Sequence, residues 1–331
     1  MKLQRLLFVI TLFLLVPVLS FAQIIAPSGN GPLISSITKP ETVRSFSPAL
    51  VSISSTYIDL NSSYIQWIIG GKVMKEGIGI TDFDFTSGPI GSPTVITVSL
   101  KTLNGLTHNE NITILPVNIN FISQAKTYTP PFYKGKASFT GESELTITAF
   151  ADITNKNGGV IDPNGLRYEW SVDDNGYFKQ SGFNKKSFSF MGSMWNKPQE
   201  VSVLISSLDG SINAKYSEIF RPVTPEVVVY EEDPLLGTLF NKAVTSPFLI
   251  TKGKEVTFFA APFNMILDNL SADTLYSWKM NGVRLQNQEN GNSITFRDDT
   301  GKNGDSYIAL EIKQPTNSSQ RAKTNFIIRF K

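Results

Sequence analysis

The side chains able to do chemistry are few and scattered. His108 is the only histidine, and the chain has no cysteine. A Ser-His-Asp arrangement would have to use His108, which stands beside Asn109 in an expected turn; multi-histidine and thiolate metal sites are excluded. Carboxylates occur as sequence neighbours at Asp173-Asp174, Glu231-Glu232-Asp233 and Asp298-Asp299. Glycoside hydrolysis needs two carboxylates facing each other across a cleft, which adjacent residues on one turn do not supply. No phosphate-binding loop, nucleotide fingerprint or nucleophile elbow is present. No catalytic residue and no cofactor is therefore expected.

Two stretches gather enough oxygen ligands to suggest calcium, which is held by several oxygens from a flexible loop. One contains Asp152, Asn155, Asn157 and Asp162, and the other Asp298, Asp299, Asn303 and Asp305. Neither has EF-hand spacing, and Asn, Asp and Gly favour turns for backbone reasons alone. Trp195, in Met191-Gly192-Ser193-Met194-Trp195-Asn196, and Tyr133 are candidate ligand contacts, as rings on which a sugar could stack. Edge packing is the competing reading for Trp195.

The elements that must position these residues show a threefold repeat. Trp67, Trp170 and Trp278 recur at intervals of 103 (67 to 170) and 108 (170 to 278) residues. Each follows a Tyr or Ile and precedes a Gly-containing turn, as in Tyr64-Ile65-Gln66-Trp67, Tyr168-Glu169-Trp170 and Tyr276-Ser277-Trp278. Short apolar segments follow at Phe83-Asp84-Phe85, Phe188-Ser189-Phe190 and Ile294-Thr295-Phe296. Alternating runs come next, at Val95–Leu100, Val201–Ile205 and Tyr307–Ile312, then a closing strand in each copy. Alternation of this kind marks half-exposed antiparallel strands. Asn104-Gly105, Asp209-Gly210, Asn281-Gly282 and Asn303-Gly304 mark turns. A repeat of about 100 residues is the size of one immunoglobulin-type sandwich. The reading is all-β: three tandem immunoglobulin-like domains over 23–117, 118–223 and 224–331. Trp67, Trp170 and Trp278 are expected in the three cores, without the disulfide usual beside such a Trp. The Asn264–Asp273 stretch suggests one short helical turn.

The first 22 residues read as a secretion signal. Lys2 and Arg5 precede an uncharged run from Leu6 to Leu19, and Ser20-Phe21-Ala22 offers small residues for cleavage before Gln23. The run is short for a membrane span, which needs roughly 20 residues. No later stretch is apolar enough to span. Lys and Arg number 30 against 28 Asp and Glu; without Lys2 and Arg5 the balance is 28 to 28. That argues against nucleic acid as a partner, which calls for a basic excess. The junctions Leu115-Pro116-Val117 and Arg221-Pro222-Val223-Thr224-Pro225 hold prolines rather than Gly/Ser spacers, which predicts limited bending. Asn61, Asn111, Asn269 and Asn317 lie in Asn-x-Ser/Thr.

Ile161-Asp162-Pro163-Asn164-Gly165-Leu166-Arg167-Tyr168-Glu169-Trp170 resembles the Asp-Pro-Asp-Gly…Tyr-x-Trp run of PKD-type domains, with Ser171-Val172-Asp173-Asp174-Asn175-Gly176 replacing their usual continuation. Tyr128-Thr129-Pro130-Pro131-Phe132-Tyr133-Lys134-Gly135-Lys136-Ala137 is similar to a motif of multi-Ig envelope proteins from candidate-phylum bacteria, and Val229–Gly237 is a related stretch. Both stretches are expected as a surface loop or edge hairpin. The resemblance implies an exported, extracytoplasmic bacterial protein, periplasmic, cell-surface or secreted. It brings no known activity and no functional residues. The threefold repeat, the stiff junctions and the lack of catalytic groups point to a structural or adhesive role toward envelope or extracellular proteins, with glycan binding as the alternative.

Overall fold

The computed structural model describes residues 33–331 except 132, 156, 211, 267–273, 286–290, 300 and 302. The expected signal segment, Asn269 and most of the Asn264–Asp273 stretch lie outside the described residues.

The alternating segments form strands, and the buried member of each alternation faces a core. The first sandwich holds β1 (Ser35–Lys39), β2 (Pro48–Ser54), β3 (Tyr64–Ile69), β4 (Lys72–Ile78), β5 (Asp82–Thr86), β6 (Thr94–Lys101) and β7 (Thr107–Ile114). The second holds β8 (Asn118–Ala125), β9 (Glu144–Asp152), β10 (Arg167–Val172), β11 (Asn175–Gly176), β12 (Gly182–Phe183), β13 (Ser187–Met191), β14 (Gln199–Ser206) and β15 (Asn213–Phe220). The third holds β16 (Glu226–Asp233), β17 (Gly237–Ala243), β18 (Phe248–Ile250), β19 (Glu255–Phe263), β20 (Leu275–Met280), β21 (Val283–Arg284), β22 (Ser293–Arg297), β23 (Gly304–Lys313) and β24 (Arg321–Phe330).

Each sandwich sets a smaller sheet against a larger one. The pairs are β1-β2-β5 with β4-β3-β6-β7, β13-β9-β8 with the sheet centred on β10-β14-β15, and β17-β16-β19-β22 with β18-β24-β23-β20-β21. The described strand pairings are antiparallel except β18 with β24, and an isolated bridge between Thr140 and Val223 is also parallel. The chain is thus an all-β protein of tandem immunoglobulin-like sandwiches.

Three separate cores hold the three repeated indoles, and Trp67, Trp170 and Trp278 are each fully buried. Each Trp lies opposite an apolar residue of the next strand: Val98, Val203 and Leu310. Trp67 stacks on Phe83 at 5.3 Å between centroids, and Trp170 on Phe188 at 5.2 Å. The third core places Ile294 at the matching position and brings in Phe258, packed against Phe248, Phe296 and Phe326. A second constraint repeats with the rings. The indole N–H donates to Ile80 O at 2.9 Å, Lys185 O at 2.8 Å and Gly291 O at 3.3 Å. Each acceptor sits just before the following strand of the opposite sheet, at β5, β13 or β22. A buried indole N–H left without an acceptor costs about 1–3 kcal/mol, so each Trp aligns that strand as well as filling the core.

One local expectation changes. His108 is on strand β7 rather than in a turn, because the Thr102–Leu106 turn closes just before it. Val229–Asp233 is strand β16 itself, and the edge hairpin is its pairing with β17. The described residues of Tyr128–Ala137, by contrast, form a loop, in which Tyr133 N donates to Pro130 O at 3.3 Å.

Candidate functional site

The sequence candidates do not converge. Asp162 Oδ1 accepts from Asn164 N, and Asn155 Oδ1 accepts from Asn157 N and Gly159 N, all at 2.9 Å. These are the turn-stabilising bonds that Asn and Asp side chains make locally. Asp152 ends β9, exposed. In the second stretch Asp298 is buried and accepts from Gly301 N at 2.8 Å, Asp299 pairs with Arg297 at 2.9 Å, and Asp305 binds Arg329 through both oxygens at 2.7 Å. The hydrogen bond from Arg329 holds the Asp305 carboxyl below its usual range. Asn303 is exposed. No group of three or more His, Asp or Glu poised to hold a metal occurs among the described residues. His108 Nε2 lies 3.3 Å from Glu110 Oε2 on the same strand.

Trp195 and Tyr133 both stand where the second sandwich meets the third. The Trp195 ring is 72% exposed. Its turn is fixed from below: Asn196 N donates to Ser193 O, Ser193 N to Gln199 Oε1, and Gly141 N to Asn196 Oδ1. Tyr133, 48% exposed, sets its ring edge-on to Phe263 of the third sandwich at 5.6 Å. Around it the Tyr128–Ala137 loop pairs with the third sandwich through its backbone. Tyr128 N donates to Met265 O, and Asn264 N donates to Tyr128 O, each at 2.7 Å.

Beneath these rings lies a buried polar network. Gln320, on the turn between β23 and β24, is fully buried. Its Nε2 donates to Gly141 O at 2.6 Å and Thr140 Oγ1 at 3.1 Å, while its Oε1 accepts from Ile266 N at 2.9 Å. Ser319 N and Oγ both donate to Glu142 Oε2, at 2.7 and 2.6 Å. Burial pushes the nearby Tyr276 hydroxyl up to about 12, helped by the charge of Tyr128. Sequence reading missed this network, because Asn317-Ser318-Ser319-Gln320 has the composition of any exposed turn.

The first junction uses the corresponding loops with fewer bonds. Val117 N donates to Val43 O at 3.0 Å, Lys215 N to Thr42 Oγ1 at 2.7 Å, and Arg44 Nη2 to Asn120 Oδ1 at 2.7 Å. The Arg44 guanidinium also stands 5.8 Å from the Tyr216 ring centre. Gly91 and Gly158, both left-handed, bring their turns into direct contact. Thr154 Oγ1 beside them is the one buried side-chain oxygen without a protein partner among the described residues. A cleft of about 300 Å³ opens here between Thr42, Val43, Ile114 and Ile212, Asn213.

Fold and junctions together define a tandem immunoglobulin-like sandwich protein. No protein-family model and no curated protein matches the sequence. Solved structures similar to it include the three N-terminal domains of the bacteriophage RB49 Highly Immunogenic Outer Capsid protein, 10% identical with a TM-score of 0.25, over 90% of this chain and 97% of that one. The fibronectin(III)-like modules of Clostridium thermocellum CbhA are 13% identical with a TM-score of 0.26, over 57% of this chain and 94% of theirs. A Bacteroides ovatus SGBP-B from a mixed-linkage glucan utilization locus, solved with a mixed-linkage heptasaccharide, is 10% identical with a TM-score of 0.23, over 94% of this chain and 69% of that one. Among the described residues no helix is long and apolar enough to cross a membrane.

Proposed function

We propose that this protein is a non-enzymatic, exported spacer or adhesin. It presents three domains, 23–117, 118–223 and 224–331, for contacts with envelope or extracellular proteins. The observation that carries this reading is the lock at the second junction, where buried Gln320 ties the third sandwich to Thr140 and Gly141 of the second. Such bonds fix the direction between two domains, which a spacer needs and an isolated binding domain does not. Unpaired edges on strands such as β4 and β7 offer sites for strand addition. The test uses the full chain as bait in envelope extract of the producing organism, under conditions that preserve surface assemblies. Recovery of a stoichiometric protein complex, cross-linked at an edge strand or loop, supports the reading; recovery of none overturns it.

A second reading is carbohydrate binding, favoured by the exposed Trp195 ring on its fixed turn. A glycan hit that disappears in Trp195→Ala would establish it there.

A further inference from the structure

We propose that the outer face of the larger sheet in the second sandwich carries a saccharide-binding trough, floored by serines and ended by Phe178. It deepens the carbohydrate reading by moving the site away from Trp195, and leaves the protein-contact reading untouched.

The trough follows from register. Gly176 of β11 lies opposite Ser171 of β10, Ser171 opposite Ser202 of β14, and Ser202 opposite Ser217 of β15. Directly opposed residues of an antiparallel sheet share a face. Trp170, Val172, Val201 and Val203 point into the core, so this row points outward. A row of Gly-Ser-Ser-Ser has nothing larger than a hydroxymethyl group across four strands, and so forms a shallow channel. The neighbouring row, Glu169, Leu204 and Lys215, is bulkier and makes one wall. Phe178 sits on a single 3-10 turn, Phe178–Gln180. Its ring lies over Gly176, where an added Cβ would come within 3.0 Å of it, yet Phe178 is 88% exposed. The ring thus closes one end of the trough with a free face. The depression bounded by Phe178, Ser171, Ser202, Leu204 and Lys215 is about 400 Å³, within the range of small-ligand sites.

The chemistry selects the occupant. A pyranose has a C–H face that rests on an aromatic ring and a rim of hydroxyls that donate and accept. Serine hydroxyls do both as well. The Ser171 and Ser202 hydroxyls already bond at 2.6 Å, so the floor is set before a ligand arrives; Ser202 is only 9% exposed. Glu169, whose Oε1 already accepts from Arg167, offers its second oxygen as an acceptor, and Lys215 a donor, at the wall. Arg167 is engaged by Glu169 at 2.7 Å, so the wall lacks the cation cluster that a phosphate-rich ligand requires. Only Leu204 offers the wall an apolar contact, too little for the side-chain pockets of a peptide groove.

The test is calorimetric titration of the full chain with three hexasaccharides: a neutral β-glucan, an N-acetylated amino-sugar polymer and a polyuronate. At least one is expected to bind. Phe178→Ala should weaken that binding about tenfold or more, the effect of removing a central aromatic anchor. Ser202→Leu, which fills the floor with a residue that strands tolerate, should abolish it while circular dichroism and melting stay near wild type. Lys215→Ala should affect the polyuronate more than the neutral chain. Trp195→Ala should change nothing. Failure of all three sugars to bind overturns the proposal. So does binding that survives Phe178→Ala and Ser202→Leu but is lost in Trp195→Ala, which would place the sugar at the other ring and leave the carbohydrate reading standing.

Discussion

The two junctions use the same loops and differ in what fills them. At the second, a buried glutamine and a carboxylate hold Gly141, Thr140 and Ser319 in one bonded cluster. At the first, Ser45 and Asn118 exchange part-buried bonds, two glycines abut, and the buried Thr154 hydroxyl finds no protein partner among the described residues. Neutral hydrogen bonds contribute about 0.5–1.5 kcal/mol net, but an orphaned buried group costs more. The lesson is that the two junctions differ in how far they close buried polar groups, although both linkers contain proline and neither is a Gly/Ser spacer.

The comparison breaks most readily at Gln320. Gln320→Leu strands Thr140 Oγ1 and Ile266 N and leaves Gly141 O only the Ser319 Oγ bond, and should cost about 2–4 kcal/mol. Denaturant unfolding of the full chain should then show the second and third sandwiches melting separately; unchanged, coupled unfolding would refute the lock. Glu142→Ala removes the acceptor of Ser319 N and leaves Ser319 Oγ only Gly141 O. Because Glu142 is only partly buried, water replaces it and the loss should be about 1–2 kcal/mol by the same measurement. At the first junction, Gly158→Ala forces a side chain onto left-handed backbone and should cost about 1 kcal/mol, confined to the second sandwich in hydrogen exchange. Thr42→Val removes one bond to Lys215 N and should cost about 0.5–1 kcal/mol.

The smallest effect at neutral pH becomes visible in alkali. Tyr276 has its folded pKa raised from 10.0 to about 12, so its contribution is complete below pH 10 and lost as pH rises toward 12. Tyr128 beside it is raised in the same direction by burial. Melting temperature measured against pH should therefore fall above pH 10, and Tyr276→Phe should flatten that fall.

Much of the architecture was legible because a core-facing strand writes itself as alternation, and the Trp repeat stamped that pattern three times. The buried position of Trp170 follows from its neighbours Tyr168 and Val172 on the same face. Cross-strand register was not legible. Ser171, Ser202 and Ser217 are unremarkable as separate residues, and only pairing sets them in a row. Gln320 was equally hidden, since its burial is imposed by residues of another sandwich nearly 180 positions away. Among the candidate contacts, the sequence points to Trp195, which lies outside the threefold repeat, while Phe178 carries no pattern of its own.

The inequality of the junctions also bears on tension. Pulled from its two ends, the molecule is a chain of links in series, and extension gathers at the weakest. The Gln320 cluster makes the second and third sandwiches one stiff arm. The first junction, where the Gly91 and Gly158 turns abut beside the unsatisfied Thr154 hydroxyl, is where the molecule would yield and turn first.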